Sequence, residues 1–271
     1  MSNNLDQLKS YNFKFKKSLG QNFLFDSNIT DKIVKYSLPL SNTVIEIGPG
    51  AGTLTKSILK LNANKIILIE KDKSLIKLLQ SLKDKNNSIE IYNKDALSLP
   101  IWKLGSGSRE VIANLPYNIS TKILINLLKN SSQFSKLTMM FQKEVANRII
   151  AKFNTSNYGR LSIISNWKLN IEKICDIKPE AFKPKPKVDS SLLLFHPKKN
   201  YVKISDPNNL EKITRIFFNQ RRKMLKKPFN QLFNGDKYIL EKLKIDLNLR
   251  PQNLSFETYY KITLEYENLR S

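Results

Sequence analysis

Val44-Ile45-Glu46-Ile47-Gly48-Pro49-Gly50-Ala51-Gly52-Thr53 is the stretch that decides the fold. A short apolar β-type run gives way to glycine at every second position, and Thr53 then opens a helical pattern. This reads as a first strand turning into a first helix. Glycines at such a turn let a ligand approach the backbone, and the amides that open the helix face its polar end. The spacing is G-x-G-x-G, not the G-x-G-x-x-G of dinucleotide binders. Outward from this turn, strand-like runs recur at 65–69, 89–92, 111–113 and 137–141. Helical patterns over 24–37, from Thr53, and over 74–82, 121–129 and 145–153 alternate with them. Strands separated by helices imply βαβ units, a parallel sheet and the α/β class. Runs at 169–175 and 191–195 follow with no clear helix between them and suggest a terminal antiparallel pair. Pro179, Pro184 and Pro186 predict a stiff, extended connector. Beyond Pro197, Leu210, Ile213, Ile216, Phe217 and Leu225 are spaced like a helix face, with further helical patterns at 238–243 and 256–266. The predicted organisation is a basic, flexible arm over 1–17, an α/β domain over 18–197 and a small helical domain over 198–271.

The 271 residues carry 46 Lys+Arg against 23 Asp+Glu, a formal charge of +23. One cysteine, Cys175, excludes an intramolecular disulfide framework and a thiolate zinc site, and one histidine, His196, argues against multi-histidine metal centres and histidine triads. No metal is expected. No apolar run approaches the roughly 18 residues of a membrane span, and the first 17 residues lack the apolar core of a secretory signal. A soluble, cytoplasmic chain with no membrane partner is expected. The charge points to a polyanion, with nucleic acid as the default partner. Lysine supplies 38 of the 46 cations and asparagine is abundant at 29, so part of the excess follows from an A/T-rich coding composition. The net charge is +15 over 1–197 and +8 over 198–271, which makes it a distributed property rather than a tail.

Glu70 ends the second strand run, twenty residues past Gly50, where a carboxylate can accept both hydroxyls of a ribose. Asp95 ends the third, within reach of an adenine amine. With Gly48 and Gly50 they describe a pocket for an adenosine-containing cofactor. Asn114-Leu115-Pro116-Tyr117 follows the next strand, at the carboxyl edge where open α/β sheets bind ligands. These residues suit methylation of an exocyclic amine. The lone pair of adenine N6 is delocalised into the ring. Accepting its two N–H bonds on the Asn114 side-chain oxygen and on a backbone carbonyl near Pro116 would position the nitrogen and favour its pyramidal form. Pro116 fixes φ and helps aim the carbonyl, and Tyr117 offers a face to the extruded base. Phe182, flanked by Lys183, Lys185 and Lys187, reads as an opposite wall for that base, with the lysines on phosphates. Arg221 and Arg222, two of only eight arginines, stand with Lys223, Lys226 and Lys227 and read as an RNA-backbone contact.

Taken together, Leu19-Gly20-Gln21-Asn22-Phe23-Leu24, Glu46-Ile47-Gly48-Pro49-Gly50, Ile69-Glu70, Asp95-Ala96, Asn114-Leu115-Pro116-Tyr117, Phe141-Gln142-Lys143-Glu144-Val145-Ala146, Tyr158-Gly159-Arg160-Leu161-Ser162 and the 182–190 segment give a chain that resembles the small-subunit (KsgA/RsmA-type) ribosomal RNA adenine N6,N6-dimethyltransferase family over nearly its whole length. The resemblance implies a Rossmann-like class I methyltransferase with a seven-stranded, mostly parallel sheet and a small C-terminal helical domain. It implies S-adenosylmethionine as methyl donor, held by Asn22, Leu24, Gly48, Glu70, Asp95 and Asn114. Asn114 and Tyr117 would serve the target adenine, with Phe182 opposite. The implied substrate is a pair of adjacent adenosines in a hairpin loop near the 3′ end of 16S rRNA, within the 30S particle or its precursor, and the enzyme is expected to be a monomer. Two alternatives share these motifs: the Erm-type 23S rRNA adenine methyltransferases, and a non-catalytic RNA- or DNA-binding assembly or transcription factor on the same fold. Gly-Pro-Gly, Phe-Gln-Lys-Glu-Val-Ala and Phe218-Asn219-Gln220-Arg221-Arg222-Lys223 are closer to the small-subunit branch.

Overall fold

The structure, a computed structural model, describes residues 13–270. Its strands are β1 (Phe23–Leu24), β2 (Thr43–Ile47), β3 (Lys65–Ile69), β4 (Ile89–Tyr92), β5 (Arg109–Asn114), β6 (Lys136–Gln142), β7 (Leu169–Ile177), β8 (Phe182–Lys183) and β9 (Ser190–Pro197). Seven of them form one sheet in the order β4-β3-β2-β5-β6-β9-β7. β4, β3, β2, β5 and β6 run parallel, and β9 returns antiparallel to β6 with Met139 opposite Leu193. α1 (Ser27–Tyr36) leads into β2, and the parallel strands are then joined through α2 (Thr53–Leu59) from β2 to β3, α3 (Ile76–Lys83) from β3 to β4 and α4 (Ser120–Lys129) from β5 to β6, with α5 (Lys143–Ile149) after β6. Every residue of β2 is buried, as expected of a central strand with both faces covered. The core packs Val44, Ile66 and Leu68 of the sheet against Ile33 and Val34 of α1, Leu54 and Ile58 of α2 and Leu79 of α3.

The chain folds as two compact units. The first comprises the chain through Ala146 together with Asn170–Pro197; the second comprises Asn147–Leu169 and the chain from Lys198 onward. The sequence reading places residues 147–169 in the α/β domain, whereas they pack with the C-terminal helices. Within them lies α6 (Arg160–Lys168), a helix that the sequence reading passes over. Ser162 and Ser165 are buried there with Ile163, Ile164 and Trp167, so polar residues interrupt the apolar face and blunt the amphipathic signature. The second unit also holds α7 (Pro207–Phe218), α8 (Lys226–Phe233), α9 (Lys237–Leu243) and α10 (Phe256–Asn268). Leu225 does not continue the α7 face; it lies on the short connection into α8, its N–H donating to the carbonyls of Leu247 and Leu249. Tyr158, Phe217, Phe218, Phe256 and Tyr259 form this unit's ring-on-ring core.

Two further expectations change. The proline connector holds a one-turn helix at Pro179–Ala181 and then β8, which pairs antiparallel with β1 so that Leu24 opposes Phe182. Of the arm expected to be flexible, residues 1–12 lie outside the described residues. Next to them, Phe13 and Phe15 make tilted ring contacts with Phe23, with ring centroids 5.8 and 5.5 Å away. No helix among the described residues is long and apolar enough to cross a membrane.

Candidate functional site

In the first unit, β2, β3 and β5 all deliver their carboxyl ends to one cleft. Asn22, Leu24, Gly48, Glu70, Asp95, Asn114 and Pro116 line it. Gly50 sits just behind this lining. Its N–H donates to Glu70 Oε2 at 3.2 Å, and its φ is +56°. A Cβ at Gly50 would lie 2.9 Å from the Phe23 ring, so only glycine fits between the loop and the segment crossing it. At Gly48 the reverse holds. A Cβ there would clash with nothing and would make ordinary van der Waals contact with Pro116 Cδ at 3.8 Å and the Asn114 carbonyl at 3.9 Å. The missing side chain is the room between the glycine loop and Asn114-Leu115-Pro116-Tyr117.

Glu70 is buried, and burial pushes its pKa up against the pull of the backbone donors around it. Oε1 accepts from the Asp72 N–H at 2.7 Å and Oε2 from Gly50. Each oxygen keeps a second lone pair for an incoming hydroxyl. Asp95 is first of all a cap: Oδ1 accepts from the Leu97 N–H at 2.9 Å, opening the turn Ala96–Ser98. Oδ2 meets Lys71 Nζ at 2.8 Å, and that ammonium holds the carboxyl below its usual range. Asp95 therefore enters the cleft wall as an ionised, fixed acceptor.

Asn114 ends β5, and its Nδ2 donates to the Asn22 carbonyl at 3.1 Å. With the amide nitrogen committed, the group's acceptor end, Oδ1, is fixed in direction. Pro116 accepts the Ile119 N–H at 3.2 Å and Tyr117 the Ser120 hydroxyl at 3.1 Å, which locks the loop into α4. The Tyr117 hydroxyl is paired with Ser190 Oγ at 2.6 Å, and burial raises its pKa. Phe182 does not face the cleft. It is 1% exposed and packs in the core with Leu24, Ile177 and Leu192, because pairing with β1 turns its side chain inward.

Glu46, which the sequence reading quotes only as part of the glycine motif, also lines the cleft. It is 1% exposed, accepts from Thr55 Oγ1 at 2.6 Å, and burial lifts its pKa to about 8. A lone carboxylate inside Val44-Ile45-Glu46-Ile47 was the available signal. Between the ordinary glutamate value and about 8 the folded chain holds a proton that the unfolded chain releases, so stability falls as pH rises through that window. Glu110, buried at the start of β5 and pushed up to about 7, acts in the same sense. Glu46→Gln is expected to flatten the decline in thermal midpoint between pH 5 and pH 8 without removing it. Parallel pH profiles for the variant and its parent would contradict this.

In the second unit, Arg221 and Arg222 part company. Arg221 is half-buried and donates from Nη2 to the Thr155 carbonyl at 3.1 Å. Arg222 is exposed and lines an open groove with Lys223, Lys226, Lys227, Arg250 and Gln252. Among the described residues no cluster of three or more His, Cys, Asp or Glu is placed to hold a metal ion.

A ribosomal RNA adenine dimethylase family model matches residues 12–268. A "Ribosomal RNA small subunit methyltransferase A" of Pelagibacter ubique is 55% identical over 95% of this chain and 98% of its own length. One of Ehrlichia ruminantium is 43% identical over 93% and 97%. Among solved structures, a dimethyladenosine transferase from Plasmodium falciparum superposes with a TM-score of 0.76 at 28% identity, covering 90% of this chain and 96% of that one. The 23S rRNA methyltransferase ErmE, at 20% identity, a TM-score of 0.67 and coverage of 90% and 99%, shares the fold. The cleft, the asparagine that closes it and these matches lead to one statement: the chain belongs to the ribosomal RNA adenine dimethylase family.

Proposed function

We propose that this protein dimethylates N6 of two adjacent adenosines in the hairpin loop near the 3′ end of 16S rRNA, with S-adenosylmethionine as donor, during assembly of the small subunit. The observation that carries the reading is the Asn114 amide, tethered by the Asn22 carbonyl at the mouth of a cleft whose other wall is a buried ribose-type carboxylate, Glu70. The small-subunit reading, as against the large-subunit one, is supported by the names of the relatives at 43–55% identity.

The residues fit the donor. The free lone pairs of Glu70 suit the two ribose hydroxyls, Asp95 suits an adenine amine, and the space left open at Gly48 lies toward Asn114. When bound, the donor supplies an electrophilic methyl group on a sulfonium. Asn114 Oδ1 and the Leu115 carbonyl, the last one before Pro116, accept the two N–H bonds of the target amine. That draws its lone pair out of conjugation with the ring. Tyr117, tied at its hydroxyl to Ser190, holds the base by stacking. The work of the protein is then positioning, and no histidine or carboxylate pair is needed.

In the second unit Arg222 and its lysines give the rRNA backbone a basic groove, while Arg221 braces the loop at Thr155. Arg222→Gln should weaken RNA binding and reduce the slope of log affinity against log salt by about one counterion. Arg221→Gln should instead lower thermal stability. Identical behaviour of the two variants would remove the distinction. The function itself is tested by transferring labelled methyl groups to undermethylated small subunits and mapping the product. Label on adjacent adenosines of 16S rRNA is expected. Label in 23S rRNA, or none, would overturn the reading. We further propose that the enzyme acts as a cytoplasmic monomer on the 30S particle or its precursor, which sedimentation and co-purification with 30S particles would check.

A further inference from the structure

Asp72 lies outside every role assigned above. The residue is 2% exposed, and its carboxylate caps the one-turn helix Lys73–Leu75 through the Ser74 N–H at 3.0 Å. Capping uses one acceptor, and serine or asparagine would do it as well. Asp72 does more. Oδ1 also accepts from Lys16 Nζ, and Oδ2 accepts from Gln21 Nε2 at 2.7 Å. Gln21 Oε1 in turn accepts the Lys16 N–H at 2.7 Å, closing a ring of three residues. These donors hold the Asp72 carboxyl below its usual range despite burial.

The segment clasped in this way is Lys16 to Gln21, which leads into the stretch from Ser18 to Leu24 that lines the cleft. Gln21 is followed by Asn22, whose carbonyl receives the Asn114 amide. Beyond it, the Phe23 ring packs on Ala51 of the glycine loop and on Leu75 and Leu78, just past Asp72. The clasp and the aromatic contact are separate devices that fix the same three residues, 21–23. At its other end, Asp72 touches the ribose carboxylate, since its own N–H donates to Glu70 Oε1.

We propose that Asp72 is a positioning residue for methyl transfer. By clasping Lys16 and Gln21 it fixes the Asn22 carbonyl, and through it the direction of the Asn114 amide. The inference rests on the reading of Asn114 as the acceptor for the target amine. Loss of the clasp lets the Asn22 carbonyl drift, and Asn114 Oδ1 then samples directions that no longer meet the amine.

Asp72→Ser tests this, because serine keeps the cap and removes the clasp. Lys16→Met with Gln21→Ala removes the same contacts from the opposite side and leaves Asp72 in place. Two quantities are measured in the full-length protein: the side-chain amide NMR signal of Asn114, assigned by its disappearance in Asn114→Ala, and the single-turnover rate at saturating S-adenosylmethionine and small subunits. Both variants should shift the Asn114 signal and slow the single turnover by about 10-fold to 50-fold. Combining them should add little, since one interaction is removed twice. An unshifted signal overturns the proposal whatever the RNA assay shows. So does a shifted signal with a turnover within twofold of the parent, or effects that multiply in the combined variant. If the parent itself transfers no methyl group to small subunits, it is the proposed function that fails. The NMR arm still decides the link from Asp72 to Asn114.

Discussion

Asn114→Ala is expected to lower single-turnover methyl transfer by about a thousandfold while the affinity for S-adenosylmethionine falls by less than about tenfold. Loss of one fixed hydrogen-bonding partner at a reacting centre typically costs 10²–10³-fold. In the proposed mechanism the same residue also aligns the nucleophile, which adds to the loss. The cofactor side is less exposed to the change, because Glu70, Asp95 and the glycine loop hold their geometry through contacts that do not involve Asn114. Asn114→Asp is the sharper companion. It keeps the size and one oxygen, but a carboxylate can no longer donate to the Asn22 carbonyl and would sit against it instead. Equilibrium binding by calorimetry and single turnover on undermethylated small subunits separate the two effects. A transfer rate within a few fold of the parent would remove Asn114 from the chemistry.

Phe182 provides the second large effect, and its sign discriminates between two roles. With 1% of its surface exposed and neighbours from β1, β7 and β9, Phe182→Ala opens a cavity in the main core and should cost about 3–5 kcal/mol in urea unfolding. Phe182→Leu keeps most of the volume and should cost less than about 1.5 kcal/mol. Because the side chain packs behind Leu24 rather than across from Tyr117, Phe182→Leu should retain turnover close to that of the parent. If Phe182 were instead the second face of a base sandwich, leucine would fold well and lose activity.

Most of the α/β architecture was legible because its signals are local. The bounds of β2, β3 and β4 follow directly from runs such as Lys65–Ile69 framed by turn residues. The cleft was legible because carboxyl ends of neighbouring parallel strands are brought together by topology alone, so Gly48, Glu70, Asp95 and Asn114 had to meet. What failed depends on long-range pairing. Nothing within Phe182-Lys183 says that it will find Phe23-Leu24, and that pairing decides whether the ring faces the cleft or the core. The buried serines of α6 blurred its period. The clasp of Asp72 joins residues more than fifty positions apart and leaves no pattern in either segment. Likewise, adjacent arginines look alike in sequence, and only the fold assigns Arg221 to a carbonyl and Arg222 to the groove.

The second unit is assembled from two stretches of chain, 147–169 and the residues after 197, with the last strands of the sheet in between. This has a consequence for biosynthesis. As the chain leaves the ribosome, Tyr158 and Trp167 emerge well before the segments that bury them: the Tyr158 hydroxyl waits for the Leu254 carbonyl, and the Trp167 indole for that of Val202. All the strands of the sheet have been synthesised by Pro197, whereas the second unit still lacks its last helices at that point. A fragment beginning at residue 198 would therefore emerge as a set of helices without their hub.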